Sequence, residues 1–179
     1  VPAQIRYEGL AIPAQIRLKG DWLDHLKGSK WSLRVRLADT YSILGMQQFS
    51  LQHPRTRSYL EEWVFHQLLE QEQLLTPKYT FVQLWWNGTY KGIYAMEEHF
   101  SQSLLARQER REGPILKFLE DGFWQLQAHR LRHGKDLVHF LPDFEAADIA
   151  PFLNGSIRKD TYLSDNFLAA RQRLEDFRL

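Results

Sequence analysis

The sequence predicts an α+β fold: a mainly antiparallel sheet with packed helices, followed by a mainly helical C-terminal segment. Three observations predict it. The phrase Val1-Pro-Ala-Gln-Ile-Arg6 is nearly repeated as Ile12-Pro-Ala-Gln-Ile-Arg17, Asn87-Gly88 separates two aromatic and β-branched runs, and apolar residues recur at helical spacing after Arg55 and again after Asp160.

Each copy of the opening phrase is short, alternates apolar with polar residues and carries Pro near its start, where a strand tolerates one. The pair is therefore expected to be a hairpin turning at Glu8-Gly9, and the echo is too short and too isolated for a repeat architecture. The stretch from Gly20 to Ser29, bounded by glycines and carrying both charge signs, reads as a loop with room for one helical turn. Lys30 to Leu37 alternates again: Trp31, Leu33, Val35 and Leu37 are expected in the core, while Lys30, Ser32, Arg34 and Arg36 form a row on the other face. Such a row is either a solvated outer face or the cationic wall of a cleft.

A short strand around Phe49-Ser-Leu51 precedes His53-Pro54, after which a helix is expected from Arg55 to about Glu72. Leu60, Trp63, Val64 and Leu68 mark one side of it, and Glu62, Phe65 and Leu69 a nearly opposite side, the pattern of a sandwiched helix. A buried Glu62 would need a cation, with Arg34 or Lys30 the nearest in kind; pairing with His66, one turn on, is the alternative. Asn-Gly between two strand-like runs, Tyr79 to Trp86 and Tyr90 to Met96, predicts a two-residue hairpin, since both turn residues must take positive φ. Glu97-Glu98-His99 leave it for a helix from Phe100 to about Glu112, with Leu104 and Leu105 inward. Gly113-Pro114 ends that helix, and Ile115 to Leu119 makes a further short strand. From Phe123 the pattern is irregular and polar, then helical near Ile149 to Leu153 and from Asp160 to Phe177. The division expected is a sheet-bearing lobe over residues 1–122 and a mainly helical segment over residues 123–179.

At 179 residues the chain can bury one substantial core. Its 23 Lys and Arg against 22 Asp and Glu give no electrostatic footprint of a nucleic-acid binder, so any anion site must be local. Without Cys, disulfides and thiolate metal sites are excluded. No run is apolar enough to span a bilayer, and no signal-peptide core is present. The chain begins at Val1 rather than Met, as a processed protein or an excised portion does.

Strands, a Gly-bounded loop, a basic strand, a helix with a Glu, a hairpin and an acidic exit into a helix follow one another in the order of a protein-kinase small lobe. The stretches "IRLKGDW", "KWSLRVRL", "YSILGMQQFSLQHPRTRSYLEEWVFHQLL", "VQLWWNGTYKGIYAMEEHF" and "EGPILKF" together resemble the CotH kinase family, the spore coat protein H type of atypical protein kinase. The resemblance runs over roughly the first two thirds of the chain, and "NGTYKGIYAMEEHF" is its most specific part.

That resemblance implies a kinase-like fold and ATP-dependent phosphoryl transfer to Ser-rich protein substrates, with Mg²⁺ or Mn²⁺. It also implies an extracytoplasmic setting. Lys30, Arg34 or Arg36 would contact phosphate, Glu62 would orient that cation, Met96-Glu97-Glu98 would meet adenine through their backbone, and Lys117 is a further candidate. No Walker A and no G-x-G-x-x-G occurs, so the loop from Gly20 to Ser29 takes its phosphate role from position alone. No H-R-D or D-F-G counterpart follows residue 120; Asp160, Asp165 and Asn166 are the nearest carboxylate and amide candidates. The expectation is a fragment or degenerate form, inactive on its own, with no catalytic or metal-binding residue identified.

Two other readings compete. Trp85, Trp86, Tyr90 and Tyr94 crowd one hairpin and could form a platform for a carbohydrate or protein partner, although alternation puts Trp85 and Trp86 on opposite faces and core packing is the commoner fate. His129 and His133, with His139 beyond, have the spacing of metal ligands, but lack the adjacent Glu of a metalloprotease helix and sit among Arg130 and Arg132.

Overall fold

The computed structural model describes residues 1–20, 28–136, 147–152 and 157–178, and divides into two compact units, Val1–Arg111 and Glu112–Leu179. The first unit is built on one six-stranded, wholly antiparallel sheet. Its strands are β1 (Pro2–Tyr7), β2 (Leu10–Leu18), β3 (Leu33–Leu37), β4 (Gln48–Gln52), β5 (Tyr79–Trp86) and β6 (Thr89–Glu98), in the spatial order β1-β2-β3-β4-β6-β5.

Both expected hairpins form, and for the expected reason. Glu8 and Gly9 have φ of 49° and 80°, and Asn87 and Gly88 have 48° and 79°. Two successive positive φ values give a turn whose twist matches that of the flanking strands. The echoed phrases pair head to tail, Pro2 opposite Gln15 and Gln4 opposite Pro13, which puts Ile5 opposite Ile12.

Alternation then sorts the sheet into two faces. Leu33, Val35 and Leu37 of β3 enter the core with Ile12, Ala14, Phe49, Leu51, Tyr94 and Met96, as the sequence predicts. Fully burying one such aliphatic side chain contributes about 1.5–3 kcal/mol. Trp31 does not join them: β3 begins only at Leu33, and the indole is 48% exposed with its Nε1 donating to Gly28 O at 3.1 Å.

The segment after His53 also differs from expectation. Pro54–Arg57 is a 3-10 turn, capped by His53 Nδ1, which accepts from Arg55 N at 3.0 Å. Ser58 and Tyr59 then both take positive φ, 49° and 62°, so the right-handed helix cannot run through them. Helix α1 (Glu61–Gln71) starts beyond this break. It is not sandwiched: His66 is its buried residue, while Trp63, Val64, Phe65 and Leu68 are exposed. His66 stacks on Tyr79 of β5, ring centroids 5.5 Å apart, and its Nδ1 is hydrogen-bonded to Thr76 Oγ1 at 2.6 Å.

Helix α2 (Gln102–Arg107) is capped by Ser101 and buries Leu104 and Leu105 as expected, but it ends well before Glu112, because Glu109 has φ of 53°. Its C-terminal end is tied to the first unit's sheet. Arg107 pairs with buried Glu98 at 2.5 Å and also donates to Thr76 O, which Gln108 Nε2 reaches as well.

In the second unit, β7 (Leu116–Phe118) pairs antiparallel with β8 (Ile149–Pro151), so Ile149 begins a strand and not a helix. Helix α3 (Asp121–Arg132) replaces the irregular stretch expected from Phe123, and Gly134, φ 64°, follows its end. Helix α4 (Thr161–Arg178) matches the final helical pattern. Among the described residues no helix is long and apolar enough to cross a membrane. Most of the loop from Gly20 to Ser29, together with His139 and Leu153, lies outside the described residues.

Candidate functional site: a cationic floor on the sheet

The face of the sheet opposite the core carries a polar patch, and its register builds a row across the strands. Arg17 of β2 lies opposite Arg34 of β3, Arg34 opposite Ser50 of β4, Ser50 opposite Glu97 of β6, and Glu97 opposite Tyr79 of β5. Directly opposed residues of an antiparallel pair share a face, so these five side chains form one line. Two residues along, Lys19 and Gln52 begin a second line. Lys19 follows β2 with its N donating to Ser32 O at 2.9 Å, and Gln52 ends β4.

The two lines meet at Lys19. Its Nζ donates to Glu97 Oε2 at 3.0 Å and to Gln52 Oε1 at 3.4 Å, and Gln52 Nε2 donates to the same Glu97 oxygen at 3.0 Å. The side chains of Lys19 and Glu97 are 16% and 17% exposed, and Gln52 is buried outright. A lysine held this way is fixed in position, since a flexible four-carbon stem would otherwise leave its ammonium free to wander.

His99, just past β6, closes the floor. Its Nε2 is 2.9 Å from Ser50 Oγ. Burial pushes the imidazole down to about 4; the fields of Arg34 and Lys19 act in the same direction, with a smaller contribution from Arg17, while Glu97 opposes them. The ring is therefore neutral at pH 7. Among the described residues of the floor, Lys19, Arg34 and Arg17 outnumber the single carboxylate of Glu97.

Tyr79 and Glu62 border this floor from the α1 side. Burial pushes the Tyr79 hydroxyl up to about 12, helped by the Glu97 and Glu62 carboxylates. Glu62 lies 3.5 Å from His66 Nε2. The His66 imidazole holds Glu62 below the usual carboxylate range against the opposing effect of burial, and the fields of Arg57 and Lys19 add to this. The pairing with His66 thus forms, rather than one with Arg34 or Lys30.

The remaining sequence-predicted residues are dispersed. Lys30 Nζ donates to Ile93 O at 3.3 Å and stands 5.8 Å from the Tyr94 ring centroid. Arg36 lies on the floor's face but at its exposed margin, 3.4 Å from Asp39. Met96 is in the core, Glu97 faces the floor, and Glu98 turns to Arg107 and to Lys78 N. All three sit inside the ladder between β4 and β5. Lys117 belongs to the second unit, where its Nζ lies over Phe152. There too, Asp160 Oδ1 accepts from Leu163 N at the start of α4, and Asn166 Nδ2 donates to Tyr162 O.

Sequence reasoning missed Lys19, Ser50, Gln52, Arg17 and His99. The signal was present in part: the alternation of β2 carries Arg17 and Lys19 to one face, as that of β4 carries Ser50 and Gln52. The register that brings the two pairs together with Glu97 is tertiary information.

The competing sites have less behind them. Trp85 and Tyr90 face each other across the hairpin, centroids 4.8 Å apart, 56% and 52% exposed, and Trp86 is exposed too; only Tyr94 of this group is in the core. The register shifts between Leu84 and Trp85, so strict alternation fails there. The rings of His129 and His133 lie tilted, centroids 4.2 Å apart, at the C-terminal end of α3, but among the described residues no group of three or more His, Asp or Glu could hold a metal.

No curated protein matches the chain. A family model described as CotH kinase protein matches residues 16–140, a span that includes every residue of the floor. With well over half of its 179 residues inside that match, the chain belongs to the CotH kinase protein family.

Proposed function

We propose that the Val1–Arg111 unit is the nucleotide-binding lobe of a CotH-type protein kinase, holding the phosphates of ATP over the cationic floor for transfer to Ser or Thr of a protein substrate. The observation that carries this reading is the fixing of Lys19 by Glu97 and Gln52 beside Arg34. Phosphoryl transfer asks a protein chiefly for positioning and charge, and a tethered ammonium among guanidinium groups offers both.

In this reading Lys19 is the main phosphate cation, Arg34 and Arg17 add charge, and Glu97 orients Lys19. Glu62 is a second carboxylate within reach of the same field. Arg36 and Lys30 remain lesser phosphate contacts. Adenine is proposed at the exit of β6, where Met96, Glu97 and Glu98 lead to His99. ATP, when bound, supplies the phosphoryl group. The residues described fit its anionic chain; they do not offer a carboxylate cluster for Mg²⁺ or Mn²⁺, and no described residue is assigned as the base for the acceptor hydroxyl.

The test is titration with a fluorescent ATP analogue, alongside transfer of labelled phosphate to a Ser-rich protein. Saturable, weak binding that falls at least tenfold in Lys19→Met is expected, with little or no transfer. Absence of saturable binding by the unaltered chain would overturn the reading. The exposed Trp85–Tyr90 pair favours a second one, a platform for a carbohydrate or protein partner. Trp85→Ala would abolish that binding and leave nucleotide affinity unchanged.

A further inference from the structure

We propose that His99 makes the anion site proton-linked, so that an anion drawn to Arg34 and Lys19 is bound together with a proton taken up by the His99 imidazole. This rests on reading the floor as a phosphate site, and adds a regulation of that site by pH.

The geometry provides for both states of the ring. His99 N donates to Gln48 O at 3.0 Å, which fixes the main chain, and Nε2 meets Ser50 Oγ at 2.9 Å. A serine hydroxyl both donates and accepts, so buried Ser50 can donate to a neutral Nε2 or, after turning its proton away, accept from Nε2–H. Protonation therefore breaks no hydrogen bond. A Lys opposite the ring, having donors only, could not serve both states.

The charged groups facing His99 are Arg34 from β3, Lys19 and Arg17 from β2 and the residues after it, and Glu97 from β6. Burial above all, and then the fields of Arg34 and Lys19, keep the ring neutral down to about pH 4. An anion placed among the cations cancels much of their field at His99, leaving burial as the main force against protonation. The balance then moves toward the charged ring, and an imidazolium in turn attracts the anion. Proton uptake on binding means, by linkage, that affinity rises as pH falls below the bound-state pKa and levels off near the free-state value of about 4.

Inorganic sulfate is the probe, because it stays a dianion from pH 5 to 8 whereas phosphate changes its own charge there. Sulfate affinity should rise from pH 7.5 to 5.5 by less than about tenfold, the limit set by an unburied ring titrating near 6.5. The same titration with His99→Gln should be flat. NMR titration of the His99 ring in the unaltered chain needs no variant, and should show its protonation moving to higher pH on addition of sulfate. Sulfate bound equally well at both pH values, or a His99 titration unmoved by sulfate, would overturn the inference and leave the phosphate reading standing. No saturable binding of sulfate or of the ATP analogue at any pH would overturn both.

Discussion

Lys19 Nζ lies 3.0 Å from Glu97 Oε2, so the ammonium at the centre of the floor is tethered to a carboxylate of strand β6 and not to one on helix α1. A strand inside a six-stranded sheet is held on both sides, whereas α1 rests on its neighbours mainly through His66. The position of Lys19 is thereby made independent of where α1 sits. Breaking a buried pair typically costs about 3–5 kcal/mol and an exposed one about 0–1. With both partners mostly but not fully covered, Glu97→Gln should cost about 1–3 kcal/mol in chemical denaturation and weaken nucleotide binding by freeing the lysine. A loss below about 0.5 kcal/mol would mean that Gln52 holds Lys19 without help.

His99 also gives the fold a pH dependence with a definite sign. Its folded-state value, near 4, lies below the ordinary 6.5 of an unfolded His, so between these values the unfolded chain binds more protons. The stability due to the neutral, buried ring is fully present above about pH 6.5 and is lost as pH falls toward 4, by up to about 3 kcal/mol. Glu62, held low by His66, adds to the loss at still lower pH, below the ordinary carboxylate range. Melting temperatures from pH 7.5 to 4.5 should fall more steeply for the unaltered chain than for His99→Gln. Parallel slopes would show that His99 is not protected from protonation.

Thr76 is where α1 is fastened to the rest of the first unit. Its Oγ1 bonds His66 Nδ1, and its carbonyl accepts from Arg107 and Gln108 of the α2 end. Thr76→Val keeps the shape and removes the hydroxyl, leaving a buried ring nitrogen without its partner, which costs about 1–3 kcal/mol. Thr76→Ser, which keeps the oxygen, should recover most of that. Equal destabilisation by the two variants would point to lost methyl packing instead of the hydrogen bond.

What could be read from the sequence was what is local. Glu8-Gly9 and Asn87-Gly88 announce their turns because positive φ is a property of a dipeptide, and Leu33, Val35 and Leu37 announce a core face because alternation is a property of one strand. The same alternation misplaced Trp31, which lies where the strand has not yet begun, and it could not say that both Trp85 and Trp86 would be exposed beyond a register shift. The floor was legible only as loose parts. Arg34 and Glu97 were singled out, but Lys19, Gln52 and His99 acquire meaning through which strand lies beside which, and β4 pairs with β6 across the intervening α1 and β5. The spacing of Glu62 and His66, four residues apart on one helix, offers the pairing that forms, but spacing alone does not choose it over a cation of the sheet.

Helix α1 shows how far apolar spacing can mislead. Leu68 repeats at the right interval from Val64 and was expected in a sandwiched interface, yet it is 54% exposed, while Leu33 of β3 is buried. Spacing specifies which residues share a face; whether that face is covered depends on what packs there, and the sheet packs against α1 along the His66 side, through Tyr79 and Thr76. Leu33→Ala should therefore cost about 2–5 kcal/mol, as removing a buried aliphatic side chain does, and Leu68→Gln should stay within about 0.5 kcal/mol of the unaltered chain. Comparable destabilisation by both, measured by denaturant unfolding, would show that the outer face of α1 is covered in solution and would restore the sandwiched helix.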